Sequence, residues 1–289
     1  MKAAVVTDFA QAPRYQEFEE PRGEVVEVLA SALSPRVRSQ ASGSHYSSDG
    51  ELPLIPGIDG VGRTASGELR YFLLPDTNRG AMAERVAIDS RRSIPLPKGA
   101  DPVQIAAAMN PVMSSWVALT RRIEFRRGQR VMVLGVGGNA GRLALQVARH
   151  LGAGEVVGIE RGASADELAE RGSRVDVVLD YLWGEPTAAA LRAIVPARVD
   201  DSQALTWIQI GSVAGLESPI PSAALRAINL RIVGSGQGSV DPGAIKDELR
   251  RIAREVGKGT FELAARAMPL ADVAEAFASP SRDRLVLVP

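Results

Sequence analysis

The sequence predicts an α/β fold in which a doubly wound parallel sheet is joined to a second, β-rich domain. Three observations carry this. Over the first ~100 residues apolar and polar positions alternate and turn residues punctuate short runs, as in half-buried strands. From residue 102 the period changes, and apolar runs then alternate with helical segments, the pattern of a parallel sheet covered by helices. At residues 131–141 an apolar run meets Gly135-Val-Gly-Gly-Asn-Ala-Gly141, followed at once by an amphipathic helix over 142–151.

In chain order, residues 2–6 and 23–33 read as strands, and 39–54, rich in Ser, Gly and Asp, as a loop. A tight glycine-shaped turn at 54–62 leads into another strand, and 67–74 and 83–88 are further short strands. Residues 102–120 are helical in pattern, with a break expected at Asn110-Pro111 because proline lacks the N–H that a helix needs. Strands follow at 131–134, 155–159, 175–179, 204–210 and 230–233, with helices between them at 142–151, 165–171, 187–194 and 222–228. The tail predicts a helix at 244–255, an element at 261–264, a short helix at 270–277 and a last strand at 284–288.

The glycine turn is the chemical signal. Gly135, Gly138 and Gly141 are spaced three apart and Gly137 adds a further position without a side chain, so backbone N–H groups face a pyrophosphate at a helix N-terminus. Asn139 and Ala140 complete that turn. The next apolar run ends in Glu160, 19 positions after Gly141, near the roughly 20 expected of an acid that binds ribose hydroxyls. These are the marks of a Rossmann domain. Other strand ends are also small or polar, at Asp180, Gly211-Ser212 and Gly234-Ser235, where ligands bind in such sheets. Cofactor choice is contested by two neighbours. Glu160 favours NAD by accepting from both ribose hydroxyls, whereas Arg161 forks onto a 2′-phosphate and favours NADP.

Composition excludes much else. The chain has 289 residues, enough for about two domains, with ordinary values of 45% hydrophobic and 24% charged residues. A net charge of zero gives no case for nucleic acid or an acidic membrane. Cysteine is absent, which removes disulfides, thiolate catalysis and cysteine-held metals, and no metal-ligand spacing surrounds the two histidines. His45 reads as a solvated loop residue and His150 as a helix C-terminal cation. No apolar run spans a membrane and no signal peptide is evident, so a cytoplasmic location is expected. No tyrosine has a lysine four residues on, and no Gly-x-Ser-x-Gly elbow or Walker loop occurs.

Nearly the whole chain resembles the zinc-free branch of the medium-chain dehydrogenase/reductase superfamily, the quinone oxidoreductase-like proteins. The resemblance lies in Ala32-Leu-Ser-Pro35, Gly43-Ser-His-Tyr46, residues 54–62, 106–116 and 127–131, the glycine turn, and residues 269–277 and 285–289, in that order. It implies a GroES-like catalytic domain of residues 1–110 and 246–289, interrupted by a Rossmann dinucleotide-binding domain of residues 111–245. Where zinc-dependent relatives carry a histidine beside an acid, this chain has Ile58-Asp59, so no metal is expected. The implied chemistry is hydride transfer from NAD(P)H to a quinone or an α,β-unsaturated carbonyl, with NADPH slightly favoured over NADH. The partner is then a small electrophilic substrate, and dimers are common in the family, here through an edge strand at 230–233. The resemblance puts Tyr46 at the cleft as a hydrogen-bond donor, Ser34 near the nicotinamide where relatives have asparagine, and Ser114 or Ser115 near the nicotinamide ribose. Two departures stand out. Only 14 residues separate Glu160 from Val175, so one strand–helix unit on the adenine side is expected to be missing, and the stretch 67–83 is short. These deletions carry the alternative of a non-catalytic nucleotide-binding or structural protein that retains the fold.

Overall fold

The computed structural model describes residues 1–279 and 283–289, and gives no side-chain description for residue 237. Its strands, in chain order, are β1 (Lys2–Val5), β2 (Arg14–Glu17), β3 (Val25–Ala32), β4 (Asp59–Arg63), β5 (Leu69–Leu73), β6 (Arg85–Ala87), β7 (Ser93–Pro95), β8 (Arg130–Leu134), β9 (Glu155–Ile159), β10 (Val177–Asp180), β11 (Leu205–Gln209), β12 (Leu230–Gly234), β13 (Ala265–Pro269) and β14 (Arg284–Val288). The helices are α1 (Pro35–Ala41), α2 (Pro102–Val117), α3 (Asn139–His150), α4 (Ala165–Gly172), α5 (Gly184–Ile194), α6 (Ala224–Ala227), α7 (Pro242–Gly257) and α8 (Val273–Ala278). The chain divides into two compact units, Met1–Asn110 with Leu249–Pro289, and Pro111–Glu248.

The first unit is β-built. Its main sheet runs β13-β14-β3-β4-β5-β7, with β6 also paired to β3, and β1 and β2 form a separate antiparallel ladder. The last strand of the chain lies against β3, Val286 opposite Ala32. Ala3 and Val5 of β1 share one buried cluster with Met82, Met268, Leu285 and Leu287, so both ends of the chain supply the same core. At ~25 cal/mol for each Å² removed from water, such apolar burial is the main force joining them.

The second unit holds five parallel strands in the order β12-β11-β10-β8-β9. Helices cover both faces. Met132 and Leu134 of β8 and Val157 and Ile159 of β9 pack with Leu168 of α4 and with Leu191 and Ile194 of α5. Strand side chains alternate in direction, so Gly158 faces the other way, where an added Cβ would sit 3.3 Å from Leu145 of α3. In the six-stranded Rossmann order 3-2-1-4-5-6, β8, β9, β10, β11 and β12 take places 1, 2, 4, 5 and 6. Among the described residues no strand takes place 3 and the sheet stops at β9, as the short stretch after Glu160 leads one to expect.

Several local expectations are corrected. α2 is not broken at Asn110-Pro111; it runs from Pro102 through Pro111 and ends in a wide π turn at Ala118–Arg122. Asp101 starts it by accepting from Val103 N (2.8 Å), and hydroxyls bond carbonyls inside it, Ser114 Oγ to Pro111 O (2.7 Å) and Thr120 Oγ1 to Trp116 O (2.8 Å). The loop expected from residue 39 begins later, because α1 extends to Ala41 behind a Ser34 cap and a proline at its first turn. β2 and β7 are additional short strands, and the expected element at 261–264 lies instead at β13.

Gly141 and Gly137 mark opposite steric limits in the glycine turn. A Cβ on Gly141 would come 2.3 Å from Gly135 O, whereas one on Gly137 would meet nothing within 4 Å. Gly141→Ala should therefore lower the unfolding free energy by about 1–3 kcal/mol, measured by urea denaturation, while Gly137→Ala should leave it within ~0.5 kcal/mol. Equal losses in the two variants would contradict this packing.

Candidate functional site

In the second unit the carboxyl ends of the strands lie level. Ile159 pairs with Leu134, Leu134 with Asp180, Asp180 with Gln209 and Gln209 with Gly234. Most of the nucleotide-binding residues expected from sequence follow directly on this row. Gly135 takes φ +98°, a left-handed value that glycine adopts without strain. Its N–H and that of Val136 both donate to Ile159 O, at 2.8 and 3.2 Å. Gly138 caps α3 with no side chain, and the only atom near its missing Cβ is Gly135 O at 3.8 Å. α3 starts here, at Asn139 and Ala140, and the N–H groups of a helix's first turn and its dipole make such an end positive. Arg142 adds a cation here, its Nη2 donating to Asn139 Oδ1 at 2.8 Å. The open space at Gly137 and Gly138 and the positive helix end fit a dinucleotide diphosphate.

The neighbouring strand ends shape the rest of this edge. Glu160 and Arg161 are exposed just beyond β9, and Arg161 Nη2 donates to Val213 O (3.2 Å) in the loop after β11. Gly211 approaches so closely that a Cβ there would lie 2.8 Å from Tyr181 O. Ser212 is exposed, Ser235 N donates to Gln209 O (2.8 Å), and Gly234 O accepts from Arg122 Nε (2.7 Å).

Two residues organise this edge: Tyr181, which sequence reasoning left without a role, and Asp180, which it expected as a polar strand end facing a ligand but which turns inward. Tyr181, directly after β10, is buried and its hydroxyl lies 2.8 Å from Ser114 Oγ. Ser114 Oγ also lies 2.7 Å from Pro111 O, so its hydroxyl sits between a carbonyl and the phenol, and either hydroxyl of the pair can donate. Burial pushes the Tyr181 phenol up to about 12, against the opposing pull of hydrogen bonds from Ser114 and Ser115. The structure thus draws Ser114 to the sheet edge, while Ser115 is buried against Val112 O. Asp180 is fully buried and accepts from Leu182 N (2.8 Å), Trp183 N (3.0 Å), Thr187 Oγ1 and Trp207 Nε1 (2.9 Å). It holds the turn in which Trp183 takes φ 55°, a conformation costly for a bulky side chain.

In the first unit Ser34 is buried, and its Oγ accepts from Val37 N (3.1 Å) as the cap of α1. Tyr46 is 82% exposed, its ring against His45 with centroids 4.4 Å apart. A polar pocket nearby is lined by Arg36, Gln40, His45, Asp49, Ile58 and Asp76, among others, and does not include Tyr46. Ile58 faces this pocket, but its neighbour Asp59 turns into the core. There it accepts from Tyr71 Oη at 2.7 Å near the buried guanidinium of Arg284, which donates to Leu33 O (3.1 Å). Burial raises the Asp59 carboxyl to about 6, and the Tyr71 hydrogen bond and the Arg284 and Arg36 charges only partly oppose it. Among the described residues no three His, Cys, Asp or Glu side chains gather as a metal site.

No protein-family model matches the chain. A protein of Emericella nidulans named a probable NADPH-dependent quinone reductase is 28% identical, over all of both chains. An NADPH-dependent alkenal/one oxidoreductase of Arabidopsis thaliana is 25% identical over 54% of this chain and 44% of its own. The crystal structure of a quinone oxidoreductase from Thermus thermophilus, solved also with NADPH, superposes over the full length of both chains with a TM-score of 0.81 at 24% identity. The fold is therefore that of these two-domain oxidoreductases. No helix among the described residues is long and apolar enough to cross a membrane.

The buried Asp59 gives a pH test. Its folded value near 6 lies above the 3.8 of the free side chain, so its contribution to stability is complete below pH ~4 and is lost as pH rises through ~6. Relative to Asp59→Asn, the wild type should gain on the order of 3 kcal/mol between pH 7 and pH 4. Paired urea titrations across that range check it, and a constant difference would overturn it.

Proposed function

We propose that this chain, which has the end-to-end fold of the zinc-free quinone oxidoreductases of the medium-chain dehydrogenase/reductase superfamily, transfers hydride from NADPH to a quinone or an α,β-unsaturated carbonyl. The observation that carries the proposal is the glycine cradle at the start of α3, open at Gly137 and Gly138 and set on the carboxyl edge of a parallel sheet. The full-length similarity to the protein named a probable NADPH-dependent quinone reductase supports the same reading.

Reduced nicotinamide, when bound, supplies the hydride. The protein supplies alignment. Gly135 and Gly138 shape the turn, their own N–H groups bonded to Ile159 O and Gly135 O; Gly137, Asn139, Ala140 and Gly141 hold the diphosphate through backbone N–H groups, and the exposed Arg161 takes the 2′-phosphate. Glu160 takes the remaining ribose hydroxyl. Ser114 meets the nicotinamide ribose, its hydroxyl held in place between Pro111 O and the Tyr181 phenol. Gly211, Ser212, Gly234 and Ser235 line the remaining strand ends. We assign acceptor handling to the first unit, as the GroES-like part, and a homodimer to the outer edge of β12, next to the exposed Leu225.

Fluorescence titration should show tighter binding of NADPH than of NADH. Arg161→Ala should weaken NADPH about tenfold, near 1.4 kcal/mol, and leave NADH within twofold. Equal effects on both cofactors would remove Arg161 from the phosphate site. NADPH oxidation with 1,4-benzoquinone and with 2-cyclohexen-1-one tests the reaction, and binding without turnover would favour the non-catalytic alternative. Light scattering that reports a monomer at all concentrations would dismiss the dimer.

A further inference from the structure

The pocket of the first unit contains a hydrogen-bond donor whose identity the geometry fixes. Ser47 N lies 3.3 Å from His45 Nδ1, and a backbone N–H only donates, so Nδ1 carries a lone pair. Ser47 Oγ, 2.8 Å from the same atom, is then a second donor to it. A ring that accepts at Nδ1 holds its one proton on Nε2. The surroundings keep it so: burial first, then the Arg36 charge, lower the affinity of the imidazole for a second proton, and Asp76 only partly opposes them.

The other polar groups of the pocket are mostly committed. Gln40 accepts from Gly57 N (3.0 Å) and donates to Thr77 O (3.2 Å), so both ends of its amide bind backbone. Arg36 gives Nη2 to Asp76 at 2.8 Å and keeps other N–H groups. Asp49 accepts from Glu51 N (3.0 Å). With Asp49 and Asp76 against one guanidinium, a carboxylate or phosphate ligand would meet more like charge than opposite charge, whereas a neutral carbonyl would not.

We propose that His45 donates its Nε2–H, beside the Arg36 guanidinium, to the carbonyl oxygen of a neutral electrophilic acceptor in this pocket. The inference rests on the oxidoreductase reading and names the acceptor side of it. As hydride brings its electron pair to the acceptor, NADPH is oxidised and the acceptor oxygen gains negative charge. His45 stabilises that charge and keeps its own proton, and the oxygen is then protonated from water. The Tyr46 ring lies tilted against His45, with centroids 4.4 Å apart, and braces it.

The test compares His45→Gln, which retains an N–H donor of similar reach, with His45→Leu, which does not. Steady-state NADPH oxidation with 1,4-benzoquinone and with 2-cyclohexen-1-one should show a roughly 10- to 100-fold lower kcat/KM for His45→Leu, and near wild-type values for His45→Gln. NADPH affinity, read by fluorescence, should be unchanged in both. Wild-type kcat/KM in His45→Leu, or equal losses in the two variants, would overturn the donor role. Nitrogen-15 spectra of labelled histidine should show the Nε2-protonated ring at pH 7.5; an Nδ1-protonated or doubly protonated His45 would overturn it without recourse to turnover. A wild type that binds NADPH but reduces neither acceptor would instead remove the oxidoreductase reading, and this inference with it.

Discussion

The carboxylate of Asp180 is the interaction on which the ligand edge of the second unit depends. It sits fully buried at the end of the central strand β10 and collects donors from three elements: the turn after β10, Thr187 of α5 and Trp207 of β11. A buried carboxylate without partners costs several kcal/mol, so its four donors are held to their places as firmly as it is. The tight turn through Trp183 follows from this, and so does the position of Tyr181, whose hydroxyl in turn orients Ser114 on α2. One side chain thus governs a succession of contacts that ends at the candidate cofactor site.

The site is built more from backbone than from side chains. That suits a chain with no cysteine and two histidines, which has few groups able to do chemistry on its own. A redox cofactor brings the reactive centre, and the protein needs only amides at a helix end, a close strand-to-helix turn and a few fixed hydroxyls. Gly141 and Gly137 divide that work: the first lets α3 pack on the turn, and the second leaves room beside it.

This division explains what was legible in the sequence. The glycine turn, the alternation of strands with helices and the missing unit after Glu160 are local facts of spacing, and spacing is what a sequence displays. β12 at a sheet edge was expected from the family resemblance rather than from spacing. The continuity of α2 through Pro111 was not legible, because proline reads locally as a break, and only the fold shows that buried apolar residues on either side of it, such as Met109 and Val112, keep the helix running. Nor was the Tyr181–Ser114 pair, whose members lie 67 residues apart. α1 was half hidden because serine and proline at 34 and 35 serve a helix start as well as they serve a loop. His45 read as a solvated loop residue, since only the fold reveals that Ser47 turns back on its ring.

The short crossover through α4 has a further physical consequence. With no strand among the described residues in place 3 of the sheet, β9 is the outermost strand on that side, and its free N–H and C=O groups face whatever approaches. Such an edge invites pairing with another chain and, from there, aggregation. β9 is only five residues long. It begins at Glu155, which Arg130 Nε approaches at 3.5 Å, and is followed at its other end by the exposed Glu160 and Arg161. A strand from a second molecule that tried to extend the sheet here would have to cover charge at both ends to gain very few hydrogen bonds. The residues that flank the cofactor edge therefore also guard the molecule against its own copies.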